Sequence, residues 1–275
     1  MRYLLQQWRN SFARGRVVVR RWTNSDRLEP AFFIIGAQKS GTTTLFAHLC
    51  QHPRIAAPIV KEIHYYEDPR NYVRGIDWYR SHFPARGDSV TGEATPSYYH
   101  PLVPARVAAD FPDARLILLA RNPVDRAYSH YQRQVRRGTE TLSFEDALEQ
   151  EEERIGGDLR RLADDPLWPA LSLRTHAYQL QGFYLDHVNR WLDHFARDRL
   201  LVVPSEAYFD DPAATASRIF RFLELEDLRI ELPEIRNQWR YDSSIDPDTR
   251  ERLRLTFSEA NRAFIDFAGL DCAWE

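Results

Sequence analysis

Phe32 to Gln51 constrains the fold more than any other stretch of the 275-residue chain. Four apolar residues, Phe32-Phe-Ile-Ile35, end at Gly36; a polar loop with a second glycine, Gly41, follows, and a helical pattern opens at Thr42. An apolar run this short, bounded by glycine, reads as a strand buried on both faces. Further strands are predicted at Ile55–Pro58, Ser89–Glu93, Arg115–Arg121 and Leu200–Ser205. Helices are predicted between them, at Pro104–Asp110, Val124–Arg137, Ser143–Arg154, His176–Phe195, Pro212–Phe222 and Pro247–Phe267. Ser143-Phe-Glu-Asp146 supplies a capping signature, and Pro247 suits a first helical turn. Strands alternating with helices give an α/β fold, a central, mainly parallel sheet flanked by helices. Ligands in such sheets sit beyond the carboxyl ends of the strands.

Composition narrows the classes. Hydrophobic residues are 43% and charged residues 28%, which argues against disorder. No run approaches the ~20 apolar residues of a membrane span. The N-terminus has charge without an apolar segment, against a secretory signal. Two cysteines, Cys50 and Cys272, cannot build a disulfide framework, and they favour a reducing, cytoplasmic setting. A net charge of −3 gives no bulk case for nucleic acid. Residues 1–30 hold seven arginines against two acids, and form an N-terminal extension to a domain spanning 31–275. That extension reads as a basic helix lying on the domain or as a peripheral hold on an anionic membrane. Of 37 basic residues only Lys39 and Lys61 are lysine.

Gly36-Ala-Gln-Lys-Ser-Gly-Thr-Thr-Thr44 follows a strand and opens a helix, so its backbone N–H groups and the helix end face an anion. It nearly fits the phosphate-loop pattern G-x-x-x-x-G-K-[ST], but Thr42 takes the lysine position and the lysine stands inside the loop at Lys39. The strand Leu116–Ala120 runs into Arg121 where a nucleotidase usually ends in a metal-binding aspartate. The site therefore reads as a phosphate-like anion handled by lysine and arginine, with no metal. A second strand-to-helix junction, Arg121-Asn-Pro-Val-Asp-Arg-Ala-Tyr-Ser129, offers a guanidinium and a hydroxyl two turns apart to a second phosphate.

In order along the chain, Gln38–Leu45, Lys61-Glu-Ile-His-Tyr-Tyr66, Gly92-Glu-Ala-Thr-Pro-Ser-Tyr98 and Arg121–Ser129 resemble the sulfotransferases that use PAPS, 3′-phosphoadenosine 5′-phosphosulfate. The likeness is greatest to the heparan sulfate N- and 3-O-sulfotransferase branch and runs from about residue 31 to the end. It implies that Lys39, Ser40, Gly41, Thr42 and Thr43 hold the 5′-phosphosulfate, and Arg121 and Ser129 the 3′-phosphate. Arg240 falls where the family closes a loop over the cofactor. The resemblance further implies that Lys39 stabilises the departing phosphate and that Glu62 is the general base, with His64 second in rank for that role. Glu93 matches a position that orients the loop or the acceptor. Where related glycan enzymes place a lysine after it, this chain has Ala94.

The implied reaction moves a sulfuryl group to a hydroxyl or amine of a glycan, lipid or small-molecule acceptor. Tyr65, Tyr66, Tyr98 and Tyr99 read equally as an acceptor cleft or as core. Two rivals stand beside this reading: a P-loop kinase or nucleotidase acting on a phosphorylated nucleotide, and a nucleotide-binding module without turnover.

Overall fold

The structure, a computed structural model, describes residues 26–85, 87–228 and 244–274. Four strands form its sheet: β1 (Pro30–Gly36), β2 (Thr91–Ala94), β3 (Arg115–Ala120) and β4 (Leu200–Pro204). They lie in the order β2-β1-β3-β4, and every pairing is parallel. The period of two splits β1 between two cores. Phe33 and Ile35 face one side with Leu116, Leu118 and Val202; Phe32 and Ile34 face the other with Ile117, Leu119 and Val203. Both faces are dry, which is why the strands are written as unbroken apolar runs.

Twelve α-helices follow in chain order among the described residues: α1 (Thr42–Leu49), α2 (Pro69–Tyr72), α3 (Ile76–Arg80), α4 (Val103–Asp110), α5 (Pro123–Arg137), α6 (Phe144–Glu149), α7 (Glu151–Asp164), α8 (Leu171–Thr175), α9 (Tyr184–Leu192), α10 (Ser205–Asp210), α11 (Pro212–Phe222) and α12 (Pro247–Ala268). On the Phe32 face, α1 and α11 supply Leu45, Phe46, Ile219 and Phe220. On the Phe33 face, α4, α9 and α12 supply Val103, Val107, Tyr184, Trp191 and Phe264. Parallel strands bring Gly36, Ala94, Ala120 and Pro204 to one edge, and the chain leaves that edge through four loops.

Three expected elements differ. Ile55–Pro58 is no strand: only a single bridge, Ile55 to Val90, forms, and Pro53 and Pro58 bracket it. The Ser143–Arg154 helix breaks at Gln150 into α6 and α7. Beyond the break, Glu151 turns inward and accepts the backbone N–H of Gln179 and Leu180. The His176–Phe195 helix becomes a 3₁₀ turn at Leu180–Gly182 followed by α9. The 3₁₀ turn ends at Gly182, where a side chain would stand 2.7 Å from Phe257 and 2.9 Å from Pro123. Ser89–Glu93 forms as β2 at Thr91–Ala94, displaced by two residues at its start. The N-terminal helix expected before residue 26, and Arg240, lie outside the described residues. No helix among the described residues is long and apolar enough to cross a membrane.

Candidate active site

The loop leaving β1 is pinned from the neighbouring strand ends. Arg121, the residue after β3, donates to the Lys39 carbonyl at 3.3 Å, and Ser205, the residue after β4, donates to the Ser40 carbonyl at 2.7 Å. Gly41 caps α1 at φ 98, and a side chain there would meet the Phe209 ring at 2.6 Å. The loop is therefore fixed, as an anion cradle requires. Ser40 Oγ and Gln38 Oε1 are buried with no hydrogen-bond partner, so the cradle holds spare polar atoms of its own. Thr42 is buried on α1 and Thr43 is exposed.

Lys39 stands in the left-handed region at φ 75. Burial pushes its pKa down to about 8, and the field of Arg133, Arg136, Arg121 and Arg137 pushes the same way. These guanidinium groups come from the end of β3 and from α5. Ser129 lies on the same helix, buried at 2% exposure, and Arg121 immediately precedes the cap residue of that helix, Asn122. The Asn122 side chain caps α5 by accepting from Val124 and Asp125, which fixes the direction in which Ser129 and Arg133 project.

A second part of the site is the irregular segment Lys61–Asp68. Glu62 and His64 are both left-handed, at φ 64 and φ 55, with Ile63 between them. Three such residues among Lys39, Glu62 and His64 hold backbone strain of ~1 kcal/mol or more each, and strain of this kind gathers where function fixes a side chain. The segment is held in that shape by two residues. Glu93, at the end of β2 and fully buried, accepts from Ile63 N at 3.3 Å, from Tyr79 at 2.9 Å, and from Tyr98 and Thr95. Asn71 donates to the carbonyls of Ile63 and His64 at 3.3 and 3.0 Å. Burial pushes the Glu93 carboxyl up, against these donors. Glu93 thus orients the loop; at 0% exposure it cannot touch an acceptor. Tyr65, Tyr66, Tyr98 and Tyr99 are likewise core, stacked behind the segment, which settles their role against a cleft lining.

His64 lies between two carboxylates. Its Nε2 is 3.5 Å from Glu62 Oε2 and its Nδ1 is 2.5 Å from Glu67 Oε1. Burial alone would lower the imidazole pKa, but Glu62 and Glu67 overcome it and raise it to about 9. Burial would raise Glu62, yet His64 and the Lys61 ammonium, 2.9 Å away, hold it well below the usual carboxylate range. At neutral pH the segment therefore presents a carboxylate backed by two cations, opposite in sign to the set around Lys39. Arg133 feels the Glu62 charge, so Glu62 and α5 lie within electrostatic reach of each other. Among the described residues no group of three or more His, Cys, Asp or Glu gathers to hold a metal ion.

A family model of the sulfotransferase domain matches residues 29–249. The chain belongs to the sulfotransferase family. Over 207 residues it is 34% identical to the bifunctional heparan sulfate N-deacetylase/N-sulfotransferase 2 of Bos taurus, covering 72% of this chain and 22% of that protein. Over 271 residues it is 29% identical to the heparan sulfate glucosamine 3-O-sulfotransferase 3B1 of Homo sapiens, covering 90% of this chain and 65% of that protein. The chain thus spans a minor part of the first relative and less than two thirds of the second. Among solved structures, the sulfotransferase from Alicyclobacillus acidocaldarius superposes with a TM-score of 0.70 at 32% identity, covering 90% of this chain and 98% of that one. The resemblance drawn from the motifs and the α/β sulfotransferase fold both stand.

Within this sulfotransferase site, sequence reasoning missed Glu67, Asn71 and Arg133. Two of these carried a signal. Glu67 lies three residues after His64, and Arg133 one helical turn after Ser129, hence on the same face of α5. Asn71 carried none, because its partners are backbone carbonyls brought near only by the fold.

Proposed function

We propose that the chain transfers a sulfuryl group from PAPS to a hydroxyl or amine of a glycan acceptor. One observation supports this most: the Lys39 ammonium, with no hydrogen-bond partner among the described residues, stands in the loop between β1 and α1 within the field of four arginines, and one of these, Arg133, also feels the charge of an ionised Glu62. Buried, unpartnered Ser40 Oγ and the N–H groups at the start of α1 suit the 5′-phosphosulfate, and Arg121 with Ser129 the 3′-phosphate. When bound, PAPS supplies the sulfuryl group and leaves as adenosine 3′,5′-bisphosphate. Lys39 holds the negative charge that grows on the departing phosphate, helped by the field of Arg121 and Arg133. Glu62 takes the acceptor proton. To do so it exchanges the Lys61 hydrogen bond for the acceptor's O–H or N–H, and losing a cation raises its proton affinity just as the acceptor arrives. His64 carries its proton between Glu62 and Glu67, so its part is to aim Glu62 rather than to act as the base. Relatives named for heparan sulfate support a glycan as acceptor.

Incubation with sulfur-labelled PAPS and a panel of glycans, phenols, lipids and peptides tests the reading. Labelled glycan without added metal is the expected result. Transfer to none of the panel, or turnover of ATP in its place, overturns it.

A further inference from the structure

Behind His64, on the side of Glu67, a small cavity is lined in part by Glu67, Ser97, His100, Ala170, Leu173 and Arg174. It leaves about 20 Å³ for the centre of a water molecule, enough for water and too little for a sugar ring. Two of its lining side chains are almost wholly buried, Glu67 at 6% exposure and His100 at 5%. Each has one polar atom with no partner: Glu67 Oε2 and His100 Nε2. The other atoms of both groups are engaged. Glu67 Oε1 meets His64 Nδ1 and accepts from Ser97 Oγ at 2.8 Å, and the Leu102 N–H donates to His100 Nδ1 at 3.3 Å.

The charged neighbours do not fill the gap. Asp68 is paired with Arg70 at 2.7 Å. Arg106, which faces His100, gives its guanidinium to the carbonyls of Tyr66 and Pro166. Arg174 lines the cavity without bonding either atom. Burial and Arg106 lower the His100 pKa to about 4, against Glu67, so the ring is neutral. With Nδ1 accepting from the backbone, its one hydrogen sits on Nε2. One donor and one acceptor thus face the same water-sized space, and buried polar atoms in such a position are met by water as a rule.

We propose that the cavity is a water site, in which a water accepts from His100 Nε2 and donates to Glu67 Oε2, making His100 a positioning residue for the Glu67–His64–Glu62 chain. The water rests on the cavity and its two unpartnered polar atoms; its effect on turnover rests on the reading of Glu62 as base.

Crystals of the wild-type protein test the site without any acceptor. An ordered water within about 3.2 Å of both atoms is expected, and a dry cavity or direct contact between Glu67 and His100 overturns the proposal. Kinetics test the role. His100→Leu replaces the donor with an apolar group, whereas His100→Gln returns an amide N–H near the place of Nε2. His100→Leu should lower kcat about tenfold with KM for PAPS unchanged, and His100→Gln should recover most of it. Wild-type kcat in His100→Leu, or an equal loss in both variants, refutes the positioning role. Should His100→Leu fail to fold, the wild-type crystals decide. A wild-type protein inactive on every acceptor refutes the proposed reaction, and the water is again judged in the crystals.

Discussion

Lys39 stands in a left-handed conformation with its ammonium half-buried among guanidinium groups, and both features cost the free protein stability. Its pKa falls from 10.5 to about 8 on folding, so between those values the unfolded chain binds more protons than the folded one. Stability contributed by this group therefore rises with pH across that window, and below about 8 the charged lysine costs ~1–3 kcal/mol. Lys39→Met should accordingly be more stable in denaturant titration at pH 7 by that order while losing nearly all transfer; a destabilised Lys39→Met would show the lysine to be structural. The same titration predicts that adenosine 3′,5′-bisphosphate binds less well as pH rises through about 8, because the ligand favours the charged form. Calorimetry from pH 6 to 9.5 checks this, and a flat affinity would remove Lys39 from the anion site. Glu62→Gln keeps the shape and removes the proton acceptor. It should retain affinity for the bisphosphate and lose ~10² to 10⁴ in kcat, the worth of a placed general base. Near-normal turnover would end that assignment.

At the scale of elements, what was legible in the sequence is what depends on local pattern. The four sheet strands, α1, α5, α11 and α12 follow from apolar runs, caps and prolines, and all appear within a few residues of their expected ends. What was not legible depends on partners far along the chain. Nothing local to Ser143–Arg154 says that Glu151 will turn to cap residues near 180, nor that Gly182 lies beneath Phe257. Lys61–Asp68 shows the same division. Its motif was visible, but its shape comes from Glu93 and Asn71, which arrive on other elements. The phosphate loop is the element most open to test. Gly41→Ala meets both a φ of 98 and the Phe209 ring at 2.6 Å, so strain of ~1–2 kcal/mol adds to a steric displacement. Its melting temperature and its affinity for the bisphosphate should both fall. A variant with unchanged affinity would show that the loop does not hold the anion.

For the whole molecule, the parallel sheet gathers four polar groups at one edge: Lys39 after β1, Arg121 after β3, Ser205 after β4 and Glu93 near the end of β2. Three of these loops touch each other directly, through Arg121 to Lys39 and Ser205 to Ser40. A ligand spanning the β1 loop and α5 therefore ties together segments whose separation accompanies unfolding, and it binds the native state alone. At 100 times its dissociation constant it should add ~2.7 kcal/mol. At ~2–4 °C per kcal/mol for a chain of this size, adenosine 3′,5′-bisphosphate should raise the melting temperature by ~5–11 °C. No metal should be needed, since the charges facing the loop are cationic: Lys39, Arg121, Arg133, Arg136 and Arg137. ATP lacks the 3′-phosphate that the proposed function assigns to Arg121 and Ser129, so at equal concentration its shift should be much smaller. Thermal melts with each nucleotide, with and without magnesium, decide the matter. Equal shifts, or a shift that appears only with magnesium, would turn the site from a sulfuryl-donor site into that of a nucleotidase.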